Sequence, residues 1–355
     1  MGKPILLHCG DDVRWNHELY GRLKDTFEIK RSYSTPRDEF KQPLQDQTFG
    51  DFFAIFRPFF QTGGEMIAWD SELMFVQTDL PLLSDLLPPS CKIYASACAG
   101  FDWVDVERLA QRGIVYCNSA AACTESVADA AIYLIINTFR HFSHSALAAR
   151  SLDVDKFREA QMSFMEVTMN PAGHTLGIIG LGRIGQRIAR KASLVFPMNV
   201  IYNDVSRLPQ TVEDESGAKF YENLDDMLAM ADCVVVATPF GGSKVLDADK
   251  ISKMKQGSRL VNIARGKLID EDALVEALES GQIQSAALDV HFDEPKVNPK
   301  LAAMENVELL SHNAGASIDS QNGFEGMSIN NILSFYETGK ALTPVNLQHF
   351  EKDGQ

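Results

Sequence analysis

The residues of this chain that can do chemistry at defined spacing lie in its second half. Gly180-Leu181-Gly182-Arg183-Ile184-Gly185 is a GxGxxG pattern, entered from an apolar β-rich run and followed by a helical stretch free of Pro and Gly. Gly180 permits a tight turn, Gly182 lets backbone amides approach a pyrophosphate, and Gly185 lets helix and strand pack closely. The helix N-terminus adds positive potential for phosphates, and Arg183 can add a direct charge. Alone, the pattern also reads as a glycine-rich structural turn. Asp204, 24 positions after Gly180 at the end of the next strand-like run, favours the dinucleotide reading. A carboxylate there accepts hydrogen bonds from ribose hydroxyls and repels an added 2′-phosphate, so NAD is expected and NADP disfavoured. Arg207 nearby is the group able to shield that charge.

Three further residues end strand-like runs. Arg265 closes RLVNIAR, Glu294 sits in DVHFDEP, and His312 begins HNAGA. Each has a plain alternative: a surface cation, a loop acid before proline, a core or capping histidine. In a doubly wound sheet, however, such strand ends converge on the cofactor crevice.

The elements that must position these residues are legible as alternation. Pro4–His8, Asp51–Phe56, Lys92–Ala95 and Ile114–Asn118 read as strands separated by polar or helical segments. Thr124 is a candidate N-cap for a long apolar helix with Val127, Ala131, Leu134, Ile135 and Thr138 at helical spacing. Residues 151–171 read as a mixed, polar crossing connection. Then come strands at 175–180, 199–204, 232–238, 259–264, 285–290 and 307–311, with helices at 184–195, 224–230 and 270–278 between them. A last helix follows Ser317, ends near Gly339 and returns to the first domain. The expected fold class is α/β: two doubly wound parallel-sheet domains, one a Rossmann NAD-binding domain over 121–321, the other flavodoxin-like, formed by residues 1–120 and 322–355.

Composition narrows the function classes. The 355 residues carry a net charge of −15, which disfavours a nucleic-acid surface, since that needs a basic stripe. The longest apolar run, Ala130–Phe139, is too short to span a bilayer, and no signal-peptide pattern opens the chain, so no membrane association is expected. The six cysteines form no CxxC pair and no metal-ligand spacing, which reads as reduced thiols in a cytoplasmic protein without a metal.

The motifs GIIGLGRIG (177–185), VNIARGKLIDEDALVEAL (261–278), ALDVHFDEP (287–295) and HNAGA (312–316) resemble those of the D-isomer-specific 2-hydroxyacid dehydrogenase family. SACAGFDWVDVERLAQRGIVYCNS (96–119) and SVADAAIYLI (126–135) extend the resemblance over nearly the whole chain, in order. It implies an Arg–Glu–His site at Arg265, Glu294 and His312. Reduction of a 2-oxo acid leaves negative charge on the carbonyl oxygen. His312 would supply the proton, Glu294 would hold its far nitrogen, and Arg265 would grip the substrate carboxylate. The resemblance also implies a carboxylate-binding loop at Cys98-Ala99-Gly100, with Cys98 where the family usually has glycine. It further implies that Asp289 and the backbone near Ile263 hold the nicotinamide carboxamide, and that Pro239 lies near the adenosine.

For the substrate, Arg57-Pro58-Phe59-Phe60 just past a strand, together with Trp69 and Trp103, are candidates to receive a bulky apolar group. Among members, the chain resembles fungal D-mandelate dehydrogenases, which implies benzoylformate or another aryl or branched 2-oxo acid. Glyoxylate or hydroxypyruvate reduction is the alternative. An NAD(H)-sensing corepressor is the alternative of another class. The family resemblance implies a homodimer through the cofactor domain, with Tyr133 and Phe139 of the long helix as candidate contacts.

Overall fold

The computed structural model describes residues 2–33, 37–58, 84–102, 104–163 and 165–350. Phe59, Phe60, Trp69 and Trp103, named above as substrate-side aromatics, lie outside them. The chain divides into two compact units, Met1–Cys123 with Ala316–Gln355, and Thr124–Gly315.

In the first unit five strands, β1 (Ile5–Cys9), β2 (Glu28–Ser32), β3 (Phe52–Arg57), β4 (Ile93–Ser96) and β5 (Val115–Cys117), form a parallel sheet of order β2-β1-β3-β4-β5. Neighbouring side chains along a strand point to opposite faces, so both faces need cover. Leu6 and Phe56 pack on one side with Leu23, Phe27, Ile329 and Ile332. Leu7 and Ile55 pack on the other with Leu44, Leu87 and Leu109. The cover for the first face includes the helix Ile318–Thr338, capped by Ser317, whose hydroxyl accepts from the Ser320 N–H, and stopped by Gly339 at φ 73°. That helix brings Glu325 under residues 14–16, where its carboxylate accepts the N–H groups of Arg14, Trp15 and Asn16 at 2.8, 3.0 and 2.6 Å. Asn16 is the N-cap of the helix His17–Thr26, so this carboxylate fixes the residues that lead into that helix.

The second unit carries β6 (Thr175–Ile179), β7 (Asn199–Asn203), β8 (Ala218–Phe220), β9 (Cys233–Val236), β10 (Ser258–Asn262), β11 (Ile283–Leu288) and β12 (Val307–Leu309). They form a parallel sheet of order β12-β11-β10-β9-β6-β7-β8. The chain runs outward from β6 through β7 and β8, then returns to β9 on the other side of β6. This reversal is the switch point of a doubly wound sheet, where ligands bind at the carboxyl ends of the strands. Every residue of β9 is fully buried, as a central strand covered on both faces requires.

Three expectations need correction. Residues 151–171 are not only a connection: Val154–Ser163 is a helix, begun by Asp153, whose carboxylate accepts from the Asp155 and Lys156 N–H groups. Phe139 is fully buried within its own unit, its ring 4.1 Å from the Arg259 guanidinium, and is therefore no partner contact. Thr124 is the first residue of the helix Thr124–Arg140, entered from a 3₁₀ turn at Ala120–Cys123, rather than its cap.

Candidate active site

The sheet order puts the candidate residues side by side. β12, β11 and β10 are consecutive neighbours, and His312, Glu294 and Arg265 follow their carboxyl ends. β9, β6 and β7 come next, followed by Pro239, the glycine turn and Asp204. Adjacent strands lie about 4.8 Å apart, so the glycine turn is about 10 Å along the edge from the Arg265 strand.

The glycine turn is shaped by what its residues lack. Gly180 has φ 94°, and a Cβ there would sit 3.0 Å from the Ala237 carbonyl oxygen. A Cβ on Gly185 would lie 2.2 Å from the Gly180 oxygen, so helix and strand meet only because no side chain intervenes. Gly182 faces open space and precedes the helix Arg183–Val195. The N–H groups of Arg183 and Ile184 fall in the first turn, which has no intrahelical acceptor for them. Arg183 is exposed and Ile184 half-buried. This cradle fits a dinucleotide: open over the turn, with backbone donors and a helix start aimed outward.

At the end of β7, Asp204 accepts the Leu181 N–H at 2.8 Å and its neighbour Val205 N–H at 2.7 Å, so it braces the glycine turn. Arg207 is not directed at it. Its guanidinium forks onto Glu213, with Nε to Oε1 at 2.9 Å and Nη2 to Oε2 at 2.8 Å.

His312 Nδ1 lies 2.8 Å from Glu294 Oε2. Burial works to raise the Glu294 pKa, but the hydrogen bond from His312, its charge and the His291 N–H prevail and hold it below the ordinary value. The carboxylate is therefore ionised near neutrality and can only accept, which makes Nδ1 the donor and leaves Nε2 outside the pair. Glu294 Oε1 is fixed by the His291 N–H at 2.8 Å. His312 has φ 53°, a left-handed conformation unusual for a residue with a Cβ. The turn is imposed by Asp289: its carbonyl accepts the His312 N–H at 2.8 Å, and its buried carboxylate accepts the N–H groups of Asn313 and Ala314. Burial pushes the Asp289 pKa up, against the pull of His312 and those donors. This bracing role for Asp289 was not foreseen in the sequence.

Arg265 is half-buried, and its Nη1 donates to the Ala264 carbonyl at 2.7 Å. The loop that carries it is built by Asn262, fully buried, whose Oδ1 accepts from Ala264 N–H and whose Nδ2 donates to the Arg265 carbonyl. A Cβ on Gly266 would lie 2.0 Å from the His291 carbonyl, so the Arg265 loop and the Glu294 loop touch at a place that admits only glycine. His291, buried, also reaches Leu310 O through Nε2 at 2.7 Å, binding this loop to the strand end before His312. Ile263, buried, follows β10, with its N–H on Val236 O. Pro239 is exposed beyond β9.

In the first unit, Cys98, Ala99 and Gly100 follow β4, half-buried. Asn118 Nδ2 donates to Ala99 O at 2.8 Å, and Ser119 N–H to Cys98 O at 2.8 Å. Arg57, at the end of β3, donates from Nη1 to Ser96 Oγ at 3.3 Å, and that hydroxyl lies 3.2 Å from Cys98 Sγ. Arg57 and the 98–100 loop therefore meet through Ser96. The sequence singled out neither Ser96 nor Asn118, because only the strand pairing of β3 with β4 brings them there.

A parallel sheet with a glycine turn at its switch point and ionisable residues on adjacent strand ends defines a nucleotide-linked α/β dehydrogenase. Residues 132–314 match the model described as D-isomer specific 2-hydroxyacid dehydrogenase, NAD binding domain. The chain belongs to that family of NAD(P)-dependent oxidoreductases. It is 36% identical to Rhodotorula graminis D-mandelate dehydrogenase, with TM-score 0.90 over 97% of this chain and 98% of the other. It is 35% identical to the glyoxylate reductase of Thermococcus onnurineus over 249 residues, 70% of this chain and 74% of that one. The NADPH-dependent glyoxylate/hydroxypyruvate reductase of Sinorhizobium meliloti is 30% identical, with TM-score 0.75 and 100% of both chains covered. Among the described residues no helix is long and apolar enough to cross a membrane, and no His/Cys/Asp/Glu group is arranged to hold a metal.

Proposed function

We propose that this enzyme reduces aryl or bulky 2-oxo acids such as benzoylformate to D-2-hydroxy acids, with NADH preferred. The observation that carries the reading is the His312–Glu294 pair, whose members follow β12 and β11, beside β10, which Arg265 follows. A bound nicotinamide would supply the hydride. His312 delivers the proton from Nε2 to the nascent alkoxide, Glu294 keeps its ring oriented, and Arg265 offers a planar fork to the substrate carboxylate. Arg57 and the Cys98–Gly100 loop are assigned to substrate binding. Gly180, Gly182, Arg183, Ile184, Gly185, Asp204, Pro239, Ile263 and Asp289 are assigned to the cofactor. The NADH preference is supported by the Asp204 carboxylate and by Arg207 being turned to Glu213.

Aryl substrates are supported by the likeness to a D-mandelate dehydrogenase. Glyoxylate or hydroxypyruvate is the second reading, supported by the glyoxylate reductases at similar identity. Reduction rates for benzoylformate, 2-oxoisocaproate, hydroxypyruvate and glyoxylate, with NADH and NADPH, decide between them, with chiral analysis of product. A glyoxylate rate far above the others refutes the aryl reading, and negligible turnover on all four refutes the catalytic one. We further assign a cytoplasmic location, in keeping with six free thiols, and a homodimer through the cofactor unit. The dimer is supported by the exposed apolar residues Leu147, Val154, Phe157 and Met162 there. A monomeric mass by light scattering overturns it.

A further inference from the structure

Arg207 stands three residues beyond Asp204, in the segment of a Rossmann fold where an arginine accommodates the 2′-phosphate of NADP. In this structure it is held elsewhere. Glu213, on the helix Gln210–Ser216, takes both edges of the Arg207 fork, at 2.9 and 2.8 Å. Gln210 Oε1 accepts a third bond from Nη2 at 3.0 Å. Glu213 is itself built in. It is buried, and its Oε1 also accepts the hydroxyl of Tyr202, fully buried on β7, at 2.8 Å. That hydroxyl in turn accepts the Leu208 N–H at 3.0 Å, which fixes the loop on which Arg207 stands. An ion pair exposed on both sides is worth little and opens readily; here the Arg207 side is exposed, but the carboxylate is buried and held by one other partner, the Tyr202 hydroxyl, so it keeps its geometry. The fork uses the Nε–Nη2 edge of the guanidinium and Gln210 takes the other Nη2 hydrogen, so the second bidentate edge, Nη1 with Nη2, is already half engaged.

We propose that Glu213 is a specificity-determining residue, which enforces the choice of NADH by latching Arg207 away from the adenosine 2′ position. The inference rests on the NADH preference proposed above. Asp204 then rejects the 2′-phosphate by charge, and Glu213 removes the cation that would otherwise compensate. Freeing Arg207 supplies a phosphate contact without touching Asp204 or the glycine turn.

The test is binding of NADH and NADPH, followed by fluorescence titration, in wild type, E213Q and the double variant R207Q/E213Q, with thermal unfolding to verify the fold. E213Q should bind NADPH about tenfold tighter than wild type while NADH affinity moves less than about twofold, one phosphate contact being worth about a factor of ten. The double variant should lose that gain. A gain that survives in R207Q/E213Q assigns the effect to the lost negative charge alone and overturns the latch, as does no gain in E213Q. If E213Q does not fold, E213D, which keeps the charge but shortens the reach, should give a gain of about threefold, and no gain there overturns the proposal equally. Wild type preferring NADPH refutes the cofactor reading itself. Wild type preferring NADH with an unresponsive E213Q refutes only the latch.

Discussion

Replacing Glu294 with Gln leaves shape nearly unchanged and removes one property, the ability to accept twice. In the wild type both carboxylate oxygens accept, Oε1 from the His291 N–H and Oε2 from His312 Nδ1, each at 2.8 Å. A glutamine has one acceptor and one donor end. The backbone N–H of His291 cannot change, so it claims the amide oxygen, and the NH2 group turns to Nδ1. Nδ1 must then be an acceptor, the proton sits on Nε2 of a neutral ring, and the imidazolium that donates in reduction is disfavoured. The lost charge-assisted bond alone is worth about 1.5–3 kcal/mol. With side chains only 31% and 14% exposed, water replaces it poorly. Added to the loss of the acid form, this lowers kcat by about 10² to 10³-fold, within the usual span of general acid catalysis. The assay is steady-state reduction of the best 2-oxo acid followed by cofactor absorbance, beside the Kd for NADH, which should stay within about twofold. E294Q turning over within about threefold of wild type would show that the second acceptor of Glu294 is not needed for turnover.

Gly266→Ala places a methyl about 2 Å from the His291 backbone, an overlap that costs about 1–3 kcal/mol and displaces Arg265, so Tm should fall and KM for the 2-oxo acid should rise more than kcat falls. Because the folded carboxyl of Glu294 is held below its ordinary value, it contributes stability that is present above about pH 4.3 and lost as pH falls through the lower folded value. Chemical denaturation of wild type and E294Q should therefore show their difference shrinking as pH drops below that point, and a constant difference would count against it. Burial pushes the thiols of Cys9, Cys91, Cys117 and Cys233 up to about 12, and Cys123 is buried as well. A disulfide reagent should accordingly find Cys98 first in the native protein and the other five only on unfolding, as a timed labelling experiment with peptide mapping would show.

The second sheet was readable because its parallel strands are continuous apolar runs broken by glycine and capped helices, so that Cys233–Val236 and Ser258–Asn262 declare themselves. Strand ends then marked Arg265, Glu294 and His312 before any contact was known. The edge strands Glu28–Ser32 and Ala218–Phe220 were not legible. The first alternates charge with one isoleucine and is a strand only because β1 offers it a backbone ladder, and the second has three residues. Positioning groups were hidden for another reason. Asn262, His291 and Gly266 act through backbone atoms of other loops, and a lone buried amide or glycine leaves no periodic trace. The turn of Arg207 onto Glu213 likewise depends on the loop closing over six residues, which spacing alone does not reveal. Phe139 misled because an aromatic on an apolar helix looks the same whether its partner is Arg259 of its own chain or a second copy.

In the proposed reaction the imidazole of His312 gives the proton to a reduced 2-oxo acid. Its most direct test is the H312Q variant, measured for kcat and, separately, for NADH dissociation. Turnover should fall by about 10² to 10⁴-fold while the dissociation constant stays within about twofold, since the ring serves proton transfer and not the glycine turn. Preserved turnover, or a loss of turnover matched by an equal loss of NADH binding, would contradict it.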